Sequence, residues 1–131
     1  MDPGVAAVVD GVLSQFTAAL RARDLEAALD VLSDDPAVLG STAEERAVGR
    51  EEVARFLGEV MGREASYAFE WDEPLAGDQR GDVIWFVAPA RAVLVGGAEP
   101  QVLAYRIGGT LVHDGTAWRL ALFNGSEPAA G

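Results

Sequence analysis

The sequence predicts an α+β domain in which a curved antiparallel sheet wraps over about three helices that come first in the chain. Three observations carry this. Apolar residues recur at helical spacing as far as Gly62 and alternate with polar ones beyond it. Helices and strands are segregated rather than interleaved, which argues against a doubly wound parallel sheet. Finally, 131 residues with 50% hydrophobic and 24% charged side chains suit one folded domain, 1–131, rather than a disordered chain.

The first helix is read from Val5, Val8, Val9, Val12, Leu13, Phe16 and Leu20, with Asp2 as cap, Pro3 in the first turn and an end near Arg23. Asp24 caps a short second helix with Leu25, Ala28, Leu29 and Leu32 on one face, ending before Asp34-Asp35-Pro36 because proline disfavours helix in the residue before it. Ala37-Val38-Leu39 and Ala47-Val48 read as short strands around a polar turn. A third helix starts after Gly49, with Glu51 and Glu52 in its first turn and an apolar face of Val53, Phe56, Leu57, Val60 and Met61. Tyr67, Phe69 and Trp71 alternate with Ala68, Glu70 and Asp72 as a half-buried strand. Between Val83 and Ala90 polar side chains are missing, so both faces of that strand are expected to be covered, with a bulge or break at Pro89. A strand from about Gln101 to His113 turns at Asp114-Gly115 and returns antiparallel from Trp118 to Asn124. The tail, 126–131, is small and polar and is expected to fray.

Composition excludes several chemistries. With 21 acidic against 10 basic residues the formal charge is -11, so phosphate-backbone binding is disfavoured and no nucleic-acid or anionic membrane partner is expected. Cysteine is absent and His113 is the single histidine, which removes thiolate chemistry, disulfides and the usual zinc ligand sets; no metal and no cofactor are expected. The longest apolar run, Val83 to Ala90, is short against the roughly 20 residues of a membrane-crossing helix, and the opening residues lack a basic n-region. A cytoplasmic protein is the expectation. The chain has no lysine, no G-x-S-x-G elbow and no G-x-G-x-x-G turn, which disfavours nucleotide-binding and serine-hydrolase classes.

The stretch SQFTAALRARDLEAALDVLSDDPAVLG (Ser14 to Gly40) resembles the opening of the steroid-isomerase branch of the nuclear transport factor 2-like superfamily. AVGREEVARFL (Ala47 to Leu57), GDVIWFVA (Gly81 to Ala88) and AWRLALFNGS (Ala117 to Ser126) continue in the manner of its SnoaL-like members. The resemblance covers nearly the whole chain and implies a cone-shaped roll whose sheet curls around a pocket, often in a homodimer. Isomerases of that branch use a pocket tyrosine, a protonated aspartate and a second aspartate as base. The corresponding positions here are Phe16, the Gly108-Gly109 pair and Gly40, so the resemblance implies no steroid isomerase activity. The hairpin that ends in His-x-Ser in many SnoaL-like members ends here in Asn124-Gly125-Ser126, leaving a residue that can orient a ligand but cannot titrate near neutrality.

Phe16, Phe56, Trp71, Trp85, Tyr105 and Trp118 lie on elements that line the interior of such a fold, and with Asn124 they form the expected ligand pocket for a small apolar or aromatic molecule. Glu70 and Asp72, with Arg106 on a crossing strand, could form a carboxylate–arginine set for an enzyme of the epoxide hydrolase, cyclase or dehydratase type. Since Tyr67, Phe69 and Trp71 take the buried face, these carboxylates are expected to point outward. His113 could serve as a base, but its place at a hairpin tip puts it toward solvent. The sequence thus leaves three functions open: a ligand-binding protein, an enzyme of this superfamily, and a dimerisation module.

Overall fold

In the computed structural model, which describes residues 1–73 and 75–129, helix formation begins where the sequence places its caps. The Asp2 carboxylate accepts the N–H groups of Gly4 at 2.8 Å and Val5 at 3.2 Å, two of the donors that a helix start leaves unpaired. Helix α1, Pro3–Ala22, buries Val9, Val12, Leu13, Phe16, Ala19 and Leu20 along one stripe. It ends at Arg23, which adopts a left-handed conformation with φ 56°. Helix α2, Leu25–Val31, is capped by Asp24, whose Oδ1 accepts the Ala27 N–H at 3.0 Å. Gly49, at φ 89°, precedes α3, Arg50–Met61.

Seven strands follow or intervene: β1 (Leu32–Leu39), β2 (Arg46–Val48), β3 (Ser66–Trp71), β4 (Ala76–Arg80), β5 (Val83–Val95), β6 (Gln101–His113) and β7 (Trp118–Ser126). They form one sheet in the order β2-β1-β7-β6-β5-β3, with β4 pairing β5 beside β3. The architecture is the expected α+β roll, with two corrections to its strands. The sheet is mixed rather than wholly antiparallel, because β1 pairs parallel to β7. That pairing also draws Leu32 and the segment through Pro36 into β1, so α2 stops at Val31 rather than including Leu32 and ending just before Asp34.

β5 differs from its expected description in both respects. Ile84, Phe86, Ala88, Ala90 and Ala92 are buried, while Val83, Trp85, Val87 and Pro89 between them are exposed. One face only is covered. Pro89 makes neither bulge nor break, since β5 stays in register with β6 from Val83 to Leu94. The Pro89 carbonyl accepts the Asp72 N–H just past the end of β3, so the missing Pro89 N–H faces the interval between β3 and β4. Proline forgoes only the reciprocal bond to Asp72, at the point where pairing with β3 ends.

α1 runs along the free edge of β3. Thr17 Oγ1 accepts the Phe69 N–H at 2.6 Å and Asp10 Oδ1 accepts the Trp71 indole N–H at 3.0 Å, which covers an otherwise open strand edge. By length and composition α1 would also pass as a membrane-crossing helix, a possibility the short apolar runs did not suggest. In this fold its apolar stripe packs in the core. At the other end of the chain, Ser126 pairs with Arg106 and the Glu127 N–H bonds to Ser41 Oγ at 2.9 Å. The expected loose tail is therefore anchored at its start; its last two residues, 130 and 131, lie outside those described.

Candidate functional site

The inner face of the sheet and the helices form a cavity whose walls come from six elements. α1 contributes Phe16 and Leu20, β1 contributes Val38 and Leu39, α3 contributes Phe56, Leu57 and Val60, β3 contributes Tyr67 and Phe69, and the β6–β7 pair contributes Tyr105 and Phe123. Much of the cone is filled. The rings of Phe16 and Phe123 lie 5.0 Å apart, those of Phe69 and Phe123 5.4 Å, and those of Phe69 and Tyr105 5.7 Å, separations at which aromatic pairs attract beyond their burial. The space left measures about 50 Å³, less than the ~150 Å³ cavity that holds a benzene ring. A ring-sized guest therefore needs a wall to move, and Phe56 on α3 is only partly buried.

Polar groups gather at the mouth. Glu45, in the turn between β1 and β2, and Arg63, after α3, both line the cavity, and their side chains are 26% and 43% exposed. Arg63 Nη1 donates to Tyr67 Oη at 3.3 Å, with the guanidinium 5.7 Å from the tyrosine ring centre. Burial raises the Tyr105 phenol above its ordinary value; a hydrogen bond with Ser41 opposes this, and Tyr67, Glu127 and Glu45 add to the rise. Ser41 is itself fixed by the Glu127 N–H.

Of the residues expected to line the pocket, Phe16, Phe56 and Tyr105 do so. Trp71 sits past the cavity on β3, tied to Asp10. Trp118 packs edge-on against His113, ring centres 5.2 Å apart, at the far hairpin. Trp85 is 48% exposed on the outer face. Asn124 pairs with Gly108 and Leu39 and lines an open groove of about 920 Å³ on that same outer face. These four lie elsewhere because a strand side chain reaches the cone only if both its face and its height along the strand are right.

The carboxylate–arginine set does not assemble around Arg106. Glu70 and Asp72 point outward as expected, and Arg91 holds them, at 3.6 Å and 3.0 Å. The Asp72 hydrogen bond and charge raise the Arg91 pKa. Arg106 stands exposed in the outer groove beside Pro89. His113 Nδ1 accepts the Gly115 N–H at 3.1 Å, remote from the cavity. Among the described residues no cluster of three or more histidine, aspartate or glutamate side chains could hold a metal ion.

Gly40 lines the cavity as expected of its position, but the wall there is not bare. A Cβ at residue 40 would lie 2.8 Å from Glu45 Cβ and 3.0 Å from Glu45 Oε2, so the glutamate fills the space that a side chain at 40 would need. Gly109 serves a different end: a Cβ there would lie 1.9 Å from the Leu122 carbonyl oxygen, which demands glycine for packing. Sequence reading missed Glu45, Arg63 and Tyr67 as a group. Their one signal was charge beside an apolar helix end, which any solvated loop shares.

The family profile of the SnoaL-like domain matches residues 9–130. No curated protein matches the chain by sequence. Among solved structures it resembles a candidate dehydratase of the nuclear transport factor 2-like family from Streptomyces avermitilis, with TM-score 0.83, 14% identity and coverage of 99% of this chain and 100% of the other. A nuclear transport factor 2-like superfamily protein from Salmonella enterica serovar Typhimurium gives TM-score 0.81 and 16% identity, covering 99% and 95%. A candidate scytalone dehydratase from Novosphingobium aromaticivorans gives 0.79 and 13%, covering 94% and 83%. At such identities the likeness speaks for the fold, and with the profile match it establishes that this chain belongs to the SnoaL-like domain family, with the nuclear transport factor 2-like fold.

Proposed function

We propose that this protein binds a small, largely apolar or aromatic molecule inside the cone. The observation that carries the reading is the make-up of the lining: it is mostly aromatic and aliphatic, and its two charged side chains, Glu45 and Arg63, keep 26% and 43% of their surface in solvent. Ligand sites have this character, an apolar body with few polar groups that set orientation. Entry of a ring is accompanied by displacement of Phe56 and the adjoining part of α3. Methyl-resolved NMR during titration with small aromatic compounds tests this. Saturable shifts at Leu20, Val38, Leu39, Leu57 and Val60 are expected, whereas a library that leaves these methyls unmoved contradicts the proposal. Tryptophan emission is a poor reporter here, because Trp71, Trp85 and Trp118 lie outside the cavity.

A specific observation favours a second property, homodimerisation through the outer face. Val83, Trp85 and Val87 are 43%, 48% and 49% exposed in one row, beside the open groove that contains Pro89 and Leu122. Contiguous apolar surface of this kind marks an interaction site. Light scattering is expected to give twice the 13.8 kDa chain mass, and a monomer at high micromolar concentration contradicts it.

A further inference from the structure

The cavity mouth brings together an acceptor and two donors whose hydrogen-bonding capacity the fold leaves partly unused. Glu45 is fixed by its backbone: the Gly40 N–H donates to the Glu45 carbonyl at 2.7 Å, and the Glu45 N–H donates to the Thr42 carbonyl at 3.1 Å. Its carboxylate is divided. Oε1 accepts the Thr42 N–H at 3.2 Å, while Oε2 accepts no hydrogen bond among the described residues and lies 4.0 Å from Arg63 Nη2, beyond hydrogen-bond reach. The missing side chain of Gly40 is what admits Oε2 to the cavity wall. Arg63 uses Nη1 on the Tyr67 oxygen. Because that oxygen accepts, the Tyr67 O–H remains able to donate, as do the other guanidinium N–H groups.

We infer that the mouth recognises an uncharged group carrying a hydrogen-bond donor beside an acceptor, of which a primary carboxamide is the simplest; this rests on the cavity being the ligand site. The amide N–H donates to Glu45 Oε2, and its carbonyl accepts from Arg63 Nη2 or the Tyr67 hydroxyl. The open 4.0 Å pair is where such a group inserts. Charge decides against ionised alternatives. A ligand carboxylate meets Arg63 but also Glu45, and an ammonium group meets Glu45 but also Arg63. Either ion must also be stripped of water at the edge of an apolar chamber, at a cost a neutral amide largely avoids.

The test uses four probes of one ring size, benzamide, methyl benzoate, benzoate and benzylamine, titrated by calorimetry and ligand-observed NMR into the full chain and its variants. Benzamide is expected to bind at least about tenfold more tightly than methyl benzoate, the size of effect a hydrogen bond to a charged group supplies. In Glu45→Ala that preference is expected to fall below about twofold, with the methyl spectrum of the ligand-free variant at Leu20, Leu57 and Val60 showing that the fold survives. Should Glu45→Ala not fold, Glu45→Gln keeps the shape and is expected to weaken benzamide while sparing the ester. Equal binding of amide and ester by the natural protein, tighter binding of benzoate or benzylamine, or a preference that outlives both substitutions overturns the inference. If none of the four binds, the cavity reading itself fails, and that outcome is distinct from a loss of selectivity.

Discussion

The two faces of β5 carry similar side chains with opposite fates. Ile84, Phe86 and Ala88 are buried in the hydrophobic core, whereas Val83, Trp85 and Val87 stand nearly half exposed on the other side of the same strand. Every inward residue has a partner within the chain. The outward ones meet only cross-strand neighbours, among them Val112, Thr110 and Gly108, although their apolar surface has the same tendency to leave water. The difference lies in topology: the helices pack against one side of the sheet, and the pairing of the strands leaves the other open. The inner face therefore governs stability and the candidate ligand site, and the outer face is available for association.

Truncating an inner ring should give the largest effect. Phe16, 1% exposed and in tilted ring contact with Phe123, should destabilise the fold by about 3–5 kcal/mol when replaced by alanine, read as a lower midpoint in urea. A loss below about 1 kcal/mol would break the comparison. Arg23 comes next. Its guanidinium donates to the carbonyls of Met61, Arg63 and Glu64 and to Ser66 Oγ, tying the end of α1 to the junction that carries Arg63. Arg23→Ala should cost about 1–2 kcal/mol. Arg23→Gly should lose less, because glycine accepts the left-handed φ of 56° without strain.

The outer face should respond differently. Trp85→Ala is expected to change monomer stability by no more than about 0.5 kcal/mol while weakening self-association, measured by sedimentation at several concentrations. If it destabilises the monomer as Phe16→Ala does, the two faces are not distinct. The smallest effect concerns the far hairpin, where Asp114 accepts the N–H groups of Thr116 and Ala117 and pairs with Arg119. Those backbone hydrogen bonds lower its pKa from 3.8 to about 2. A carboxylate depressed on folding lends stability above its unfolded pKa and loses it as pH falls through the folded one. The advantage of the natural protein over Asp114→Asn should therefore be full above pH 4 and fade toward pH 2 in melting curves.

Much of this fold was legible because caps and periodicity act locally. Asp2, Asp24 and Gly49 mark helix starts, and the Asp114-Gly115 turn sets the last hairpin. β5 was misread because alternation is visible only when one face is polar, and here both are apolar. β4, the sequence Ala-Gly-Asp-Gln-Arg, carries no strand signal and exists because β5 offers an edge. The same logic divides the site. Phe16, Phe56 and Tyr105 followed from the element each occupies, whereas Glu45, Arg63 and Tyr67 meet only after two turns are folded onto one rim. No spacing along the chain encodes that meeting.

The most direct test of the division between the faces is a crystal structure of the full chain grown with benzamide. The account predicts the ring inside the cone among Phe16, Phe69 and Phe123, with Phe56 displaced and the amide against Glu45 and Arg63. Benzamide bound instead in the outer groove, beside Val87 and Leu122, with the cone closed as before, would contradict it.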